Sequence, residues 1–256
     1  MSSRRGSFVD VAAICDEIKV NYSPCDVADA LLVINVAGAG HLANIHPIPT
    51  RSHGKNRIVA PISTIIFVSK DHKPSPASPH DEIPGGILQE SNLPKDKHWT
   101  DVPPSGSVVL MQQPEDQVVA VLGDIVASRY KMRGVLGCFV DGRVRDISSQ
   151  AEMCDDGRWQ AWTKGLSSVG TSMQAKPWAV DVPIQVGLVN IRPGDIMVAD
   201  EAEQVCTVIP QDKLTEVAAW LPRLKKADDG VLKDAQSGVD LKTSFTSHPD
   251  HYTQQH

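Results

Sequence analysis

Apolar residues recur at helical spacing near the start of the chain. In the segment FVDVAAICDEI they fall on one face of a helix, at Phe8, Val11, Ile14 and Ile18. The next segment, SPCDVADALL, begins with Ser23 and Pro24, which suit the N-cap and the first turn of a second helix. The segment NRIVAPISTIIFV is rich in β-branched residues and predicts one or two buried strands. The chain is therefore expected to open with two helices followed by buried β structure.

The second half of the chain alternates between strand and helix patterns. SVVLM predicts a short buried strand, and the helical pattern after it ends at Gly134, a typical C-terminal glycine. VLGCFV is apolar on both faces, as in a strand that is covered on both sides. VPIQVGLVNIRPGDIMVADEAEQVCTVIP predicts three or four strands, and DKLTEVAAWLPRL predicts a C-terminal helix. This order of helices, strands, one βαβ unit and a run of strands predicts a mixed α/β layered domain.

Two segments fall outside this pattern. Residues 71–106 hold seven prolines among polar residues and predict a long irregular insertion or lid. Residues 244–256 are polar and rich in histidine and predict a frayed tail. We therefore expect a single domain over residues 1–243. The polar stretch after residue 146 contains Trp159, Trp162 and Trp178, which we interpret as local packing or as a pocket wall.

Composition narrows the classes of function. The formal net charge of the 256 residues is −6 and the basic residues are scattered, which argues against a nucleic-acid partner. No signal peptide and no run of about 18 apolar residues for a membrane helix is evident. The cysteines form no CxxC pair, which predicts reduced thiols in a cytoplasmic protein rather than disulfides or a zinc site. They are Cys15, Cys25, Cys138, Cys154 and Cys206.

Charged residues stand at the ends of the core elements in GDIVASRYKMRGVLGCFVDGRVRD, residues 123–146. If the helix begins near Gly123, the free N–H groups of residues 123–126 (Gly123, Asp124, Ile125 and Val126) form an anion site suited to a carboxylate. Arg145 and Asp146 follow an expected Asp141–Gly142 turn at the end of the next strand. Helix N-termini and strand C-termini share one edge of a βαβ sheet, so these groups are predicted to converge.

The same residues have a simpler interpretation. Asp124 can be a first-turn acid that complements the helix dipole, and Arg145–Asp146 can be a solvated strand end. Spacing alone leaves both interpretations open.

Asp124, twenty intervening residues and then Arg145–Asp146, with Gly123 in front, resemble the core of the RraA-like family. This family includes metal-dependent 4-hydroxy-4-methyl-2-oxoglutarate aldolases and oxaloacetate decarboxylases. The segment RGVLGCFVDGRVRD and the late strand run with its Pro-Gly-Asp turn at residues 193–195 are also similar, and the resemblance covers about residues 10 to 240. It implies an α/β fold, a layered α/β/α swivelling-type domain with mixed sheets, N-terminal helices and a C-terminal helix.

The resemblance also implies an activity. The protein is expected to be a lyase that cleaves a carbon–carbon bond of a 2-oxo dicarboxylic acid through a metal-stabilised pyruvate enolate. Asp146 would hold Mg²⁺ or Mn²⁺, and one carboxylate is enough because Mg²⁺ commonly keeps several waters. The amides of residues 123–126 would bind the substrate carboxylate, and Arg145 would stabilise the enolate oxyanion. Asp124 would move a proton through a water molecule, and no lysine is needed for a Schiff base.

The resemblance further implies a homotrimer or a dimer of trimers. An acid near the C-terminal helix of a neighbouring subunit can contribute to family sites, and Asp228 or Asp229 is the candidate here. Ser149 departs from the family, because many relatives carry a further acid at this position. Two alternatives stay open, a non-catalytic regulator that binds a protein partner and a biosynthetic enzyme with a specialised substrate. An intact Arg145–Asp146 pair favours catalysis, because a pure binding protein has no chemical reason to keep it.

Overall fold

Two capped helices open the described part of the chain. The computed structural model describes residues 10–49, 56–74 and 86–254, so Phe8 and residues 75–85 of the proline-rich segment lie outside the described residues. Helix α1 (Val11–Asn21) starts at Asp10, whose carboxylate accepts from the Ala13 N–H at 3.1 Å. Helix α2 (Pro24–Val33) has a reciprocal capping box between Ser23 and Asp26. The two predicted helices are confirmed.

One mixed sheet of eight strands organises the described residues. Its strands are β1 (His46–Pro47), β2 (Arg57–Ser69), β3 (Val108–Gln112), β4 (Gly137–Val144), β5 (Gln160–Leu166), β6 (Ala175–Val180), β9 (Ile196–Asp200) and β10 (Val205–Ile209). Their order is β1-β5-β4-β3-β2-β9-β10, and β6 pairs with the end of β2. The pairs β2–β3, β3–β4 and β4–β5 are parallel, and the other pairs are antiparallel.

The two ends of this sheet come together. His41 forms a β-bridge with Thr207, and His46 Nδ1 lies 3.2 Å from the Gln204 carbonyl oxygen. A hairpin of β7 (Ile184–Val186) and β8 (Val189–Ile191) lies beside the sheet. The remaining helices are α3 (Asp124–Met132), α4 (Ile147–Cys154), α5 (Leu214–Gln236) and α6 (Leu241–Ser247). The fold is thus a nearly closed mixed α/β fold with N-terminal helices and a C-terminal helix, as expected.

The core consists of three apolar clusters separated by the sheet. Leu110 and Phe139 point into the inner cluster, whereas their neighbours Val109 and Cys138 point to the outer face under α3 and α4. This alternation is the period of two that a pleated strand imposes. The third cluster packs α1, α2 and α5 against β9 and β10. The three tryptophans that the sequence left as local packing or a pocket wall are core residues. Trp159 belongs to the outer cluster, and Trp162 and Trp178 belong to the inner one.

The prediction of a turn at Asp141–Gly142 is wrong. Both residues lie inside β4, where the register to β5 shifts between Val140 and Arg143. Such a β-bulge accommodates an extra residue without ending the strand. Gln113 explains the choice of glycine, because its side chain occupies the space that a Gly142 Cβ would need. The Gln113 Oε1 also accepts from the Arg143 N–H at 3.0 Å, which holds the bulge in place.

The C-terminal segment also differs from the frayed tail that its composition predicts. Residues 241–247 form helix α6, and residues 252–254 form a turn of 3₁₀ helix. Ser244 is fully buried, and its hydroxyl donates to Asp234 Oδ2 of α5 at 3.0 Å. His248 Nε2 lies 3.0 Å from the same oxygen. These polar contacts tie the described part of the segment to α5.

The described part of the proline-rich segment packs alongside strand β6. The Ser91 hydroxyl donates to the Trp178 carbonyl at 2.6 Å, and the Asn92 side chain makes two hydrogen bonds of 2.8 Å to the Val180 backbone. Trp99 packs edge-on against Phe67, with ring centroids 5.6 Å apart. Residues 86–106 therefore cover one edge of the sheet.

No helix within residues 10–49, 56–74 and 86–254 is long and apolar enough to cross a membrane. The five cysteines are free thiols, of which Cys25 is exposed and the other four are buried.

A half-buried acid makes stability depend on pH. Burial, together with the charges of Asp228 and Asp26, raises the pKa of Asp29 to about 6. Because the folded pKa lies above the unfolded value, the contribution of Asp29 to stability is most favourable below about pH 4 and is lost as the pH rises through about 6. We expect Asp29→Asn to unfold at higher urea concentration than wild type at pH 7.5, by about 1–2 kcal/mol.

Urea unfolding of both proteins at pH 4 and pH 7.5 measures this effect. The difference should be much smaller at pH 4, where Asp29 is protonated in the folded protein and only about half ionised in the unfolded chain. The exposed acid Asp16 on α1 provides the control, because Asp16→Asn should change stability little at either pH. An equal gain for Asp29→Asn at both pH values would contradict the assignment.

Candidate functional site

The chain brings the end of β4 beside the start of α3. Before α3, residues 119–122 run parallel to the end of β4, and Leu122 bridges to Val144. The Val121 N–H donates to the Arg143 carbonyl at 2.9 Å, and the Arg145 N–H donates to the Leu122 carbonyl at 3.0 Å. The chain then turns into α3 at Gly123. The convergence that the βαβ pattern predicts is therefore present.

Gly123 allows the two parts of the site to approach closely. It is the N-cap of α3 and has an extended backbone, with φ −128° and ψ −176°. A Cβ at this position would lie 2.7 Å from Asp146 Oδ2 and 3.3 Å from Arg145 Nε. The glycine is thus required by space and not by its dihedral angles. Any larger residue would displace the Asp146 carboxylate.

Asp146 has a left-handed backbone conformation and begins helix α4. Its φ is 59° and its ψ is 44°, a region that few residues other than glycine, asparagine and aspartate adopt. Oδ2 lies 3.3 Å from Arg145 Nε and accepts a long 3.4 Å hydrogen bond from the Asp124 N–H. The side chain is 36% exposed. The carboxylate therefore faces the N-terminus of α3 and is open to solvent.

Arg145 lies between two glycines. A Cβ at Gly170 would be 2.8 Å from Arg145 Nη1, so Gly170 leaves room for the guanidinium as Gly123 does for Nε. The side chain is 42% exposed, and the backbone carbonyl accepts from Gln150 Nε2 at 2.7 Å. Sequence reasoning missed both Gly170 and Gln150, because neither belongs to a recognisable spacing. Only their place in the fold connects them to the site.

The anion site that the sequence predicts would lie at the first turn of α3. Asp124 and Val126 are partly exposed, and Ile125 is 80% exposed. The first N–H groups of a helix have no partner inside the helix. Here the Asp124 N–H donates to Asp146 Oδ2, so an anion at this turn would compete with that carboxylate for it. A carboxylate there would also gain from the helix dipole. Asp124 is thus a first-turn acid that also lies beside the Arg145–Asp146 pair.

Asp228 and Asp229 lie elsewhere in the chain, on helix α5. Asp228 Oδ1 is 3.7 Å from His251 Nε2, and Asp229 Oδ1 is 3.1 Å from Lys225 Nζ. Helix α5 packs on the β9 and β10 side of the sheet, away from the outer cluster that contains Val144. The structure does not bring them to the site of their own chain. A role in the site of a neighbouring subunit stays a prediction.

The donor set at Asp146 fits a weakly held hard cation. Within the described ranges, no group of three or more His, Cys, Asp or Glu side chains could hold a metal ion. Mg²⁺ needs only one or two carboxylates when waters and substrate oxygens supply the remaining ligands. Asp146 offers one exposed carboxylate beside the open space at Gly123. Ser149 is exposed and adds no second acid.

A cavity of about 200 Å³ opens at the same edge of the sheet. It is lined by the β4 bulge, the end of β5 and the loop after β3, and its polar residues are Gln113, Glu115, Gln117, Asp141, Arg143 and Lys164. Lys164 pairs with Asp141, and Arg143 donates to the Leu166 carbonyl at 3.1 Å. Arg145 and Asp146 do not line this cavity. It is therefore a neighbour of the site and not its centre.

The protein is of the α/β class: its fold is a nearly closed mixed sheet, and its candidate site is the Arg145–Asp146 pair beside the N-terminus of α3. The sequence model of the RraA-like family, described as Aldolase/RraA, matches residues 12–203. Because this match spans most of the chain, the protein belongs to the RraA-like family.

Two curated relatives are similar to parts of the chain. A protein from Halalkalibacterium halodurans, provisionally named 4-hydroxy-4-methyl-2-oxoglutarate aldolase, is 33% identical over 124 residues, which are 48% of this chain and 55% of that protein. Protein DlpA from Legionella pneumophila is 22% identical over 223 residues, 87% of this chain and 32% of that protein. The chain thus spans about half and about a third of the length of these two relatives.

A solved structure shares the fold. RraAS2 from Streptomyces coelicolor, described as an unusual member of the RNase ES inhibitor RraA protein family, is 20% identical with a TM-score of 0.66. The alignment covers 85% of this chain and 95% of that one. At this identity the likeness shows the fold alone. The family has both an aldolase branch and a regulator branch, so the site chemistry must distinguish them.

Proposed function

We propose that the protein is a divalent-metal-dependent lyase that cleaves a carbon–carbon bond of a 2-oxo dicarboxylic acid. The observation that supports this most is the position of Asp146 Oδ2, between Arg145 Nε and the Asp124 N–H at the start of α3. A carboxylate, a guanidinium and the first-turn amides of α3 at one point suit a ligand that carries both a metal-chelating keto acid and developing negative charge. The relative named as an aldolase supports the same branch of the family.

Each group has one task in this mechanism. Asp146 would hold Mg²⁺ or Mn²⁺, which when bound would act as a Lewis acid toward the keto oxygen. The N–H groups of the first turn of α3, from Gly123 to Val126, would bind the substrate carboxylate. Arg145 would stabilise the negative charge that develops on the enolate oxygen, a contribution of about 3–4 kcal/mol for one such donor.

Asp124 would act as the general base through a water molecule. In a retro-aldol cleavage of 4-hydroxy-4-methyl-2-oxoglutarate, it would take the 4-hydroxyl proton through a water molecule as the C3–C4 bond breaks. The electron pair of that bond passes into a pyruvate enolate, and the other fragment leaves with a new carbonyl group. In oxaloacetate decarboxylation the leaving fragment is carbon dioxide. In both reactions the enolate then takes a proton at C3 and becomes pyruvate.

Pyruvate release tests the proposal. Wild-type protein is incubated with each of these two acids in Mg²⁺, in Mn²⁺ and in EDTA, with a protein-free reaction at the same metal concentration as the blank. Turnover that requires the metal is the expected result. If folded protein releases no pyruvate from either acid, the lyase proposal fails and a binding role or a specialised substrate takes its place.

We also propose that the chain assembles as a homotrimer, or as a dimer of trimers, in the cytoplasm. Exposed apolar residues lie on elements next to the site, namely Ile125 in the first turn of α3, Leu166 at the end of β5, and Val169 and Met173 on either side of Gly170. A neighbouring subunit would cover them. The free thiols suit a reducing compartment. Sedimentation equilibrium should give three or six times the mass of one chain, and a monomer at micromolar concentration would contradict the assembly.

A further inference from the structure

Gln150 is a buried polar residue that contacts the backbone of the site. It lies in the first turn of α4 and its side chain is completely buried. The side-chain Nε2 donates to the Arg145 carbonyl at 2.7 Å, and the backbone N–H donates to the Asp146 carbonyl at 3.1 Å. One residue therefore holds two successive carbonyls, those of the proposed catalytic arginine and of the proposed metal ligand.

The backbone that Gln150 holds is strained. Asp146 has a positive φ of 59°, a left-handed conformation that residues other than glycine, asparagine and aspartate rarely adopt. Such conformations persist where surrounding contacts fix them. The Arg145 N–H is held by the Leu122 carbonyl on one side, and the Arg145 carbonyl is held by Gln150 on the other. Without Gln150 the second restraint is lost, and the link from β4 to α4 can relax.

We propose that Gln150 is a positioning residue that sets the direction of the Arg145 and Asp146 side chains. This inference rests on the proposed function, because the direction matters only if these side chains bind a metal and an anion. Gln150 touches neither ligand and acts through the Arg145–Asp146 backbone. Its loss should therefore weaken metal binding in protein that is still folded.

Gln150→Met tests this, because methionine has a similar length but no donor. The matched control is Gln160→Met: Gln160 is 1% exposed, and its Nε2 donates to the Asn56 carbonyl at 2.7 Å, at the opposite end of the parallel strands. Mn²⁺ affinity is measured by titration of the free ion, together with thermal unfolding. Gln150→Met should weaken Mn²⁺ binding about tenfold or more, as outer-shell changes do, whereas Gln160→Met should change it less than twofold.

Similar Mn²⁺ affinities for wild type and Gln150→Met would overturn the inference, as would an equal loss in both variants. If Gln150→Met does not fold, Gln150→Leu takes its place, because leucine is shorter than methionine and likewise has no donor.

Amide hydrogen exchange separates this inference from the proposed function. Wild type that binds no Mn²⁺ would refute the metal proposal, and the role of Gln150 is then judged without metal. The amides of residues 145–150 should exchange about tenfold faster in the Gln150 variant than in the Gln160 variant. Unchanged exchange at these residues would overturn the positioning role.

Discussion

Replacement of Asp146 with asparagine should lower metal-dependent pyruvate release by about 10³-fold or more, to the level of the protein-free blank. Asparagine is the sharper choice than alanine, because it keeps the size of the side chain and tolerates the left-handed φ of 59°. Only the negative charge is lost, and with it the single carboxylate that would hold the cation. Stability should therefore change little while turnover and Mn²⁺ binding disappear.

The control for this prediction lies at the other end of the same helix. Asp155 is an exposed acid at the C-terminal end of α4, and Asp155→Asn should keep wild-type turnover. Both variants are assayed with Mg²⁺ and with EDTA. If Asp146→Asn retains metal-dependent turnover, the metal is held by other groups and the assignment of Asp146 is wrong.

Gly123→Ala should lower kcat/KM by about 10²-fold without unfolding the protein. Alanine can adopt the extended backbone of Gly123, so the fold should lose only about 1 kcal/mol at this N-cap. The new Cβ would lie 2.7 Å from Asp146 Oδ2 and 3.3 Å from Arg145 Nε, so the carboxylate and the guanidinium must shift. A misplacement of about 1 Å in such a site can cost about 10²-fold in rate.

The measurements are steady-state kinetics and urea unfolding on the same preparations. Gly230→Ala is the matched control, because a Cβ at Gly230 also crowds a side chain, that of His248, but far from the site. It should cost some stability and leave kcat/KM unchanged. Wild-type kinetics in Gly123→Ala would show that the Asp146 carboxylate does not work in the position that the structure gives it.

Local chemistry explains what could be predicted from the sequence. Ser23, Pro24 and Asp26 carry their own capping geometry, so the start of α2 was predictable. Gly134 has a φ of 79° just after α3, as a C-terminal glycine should. The meeting of Gly123 with Arg145–Asp146 follows from the rule that helix starts and strand ends share one sheet edge.

Features that depend on distant partners could not be predicted in this way. The Asp141–Gly142 pair has the composition of a turn, but Gln113 from the loop after β3 fills the space beside it and keeps the strand intact. Strand β5, QAWTKGL, has no clear alternation of its own, and its pairing with β1 and β4 decides its structure.

Distant partners also decide the structure of the polar C-terminal segment. Composition alone predicts that a segment rich in histidine and serine stays in solvent. Here Ser244 and His248 meet one carboxylate oxygen of Asp234, which satisfies their hydrogen bonds within the protein. Position 234 lies in another helix, so no local pattern reveals this partner.

Strand β2 is synthesised long before one of the strands that it pairs with. Its first half, Arg57 to Pro61, pairs with residues 196–200, and its second half pairs with β3 and β6. A ribosome therefore releases this long apolar strand well before its antiparallel partner β9 exists. Until then the strand presents an open, apolar edge, which is a site for aggregation. Nascent chains that stall before residue 196 should accordingly depend on chaperones, whereas completed chains close the sheet on themselves.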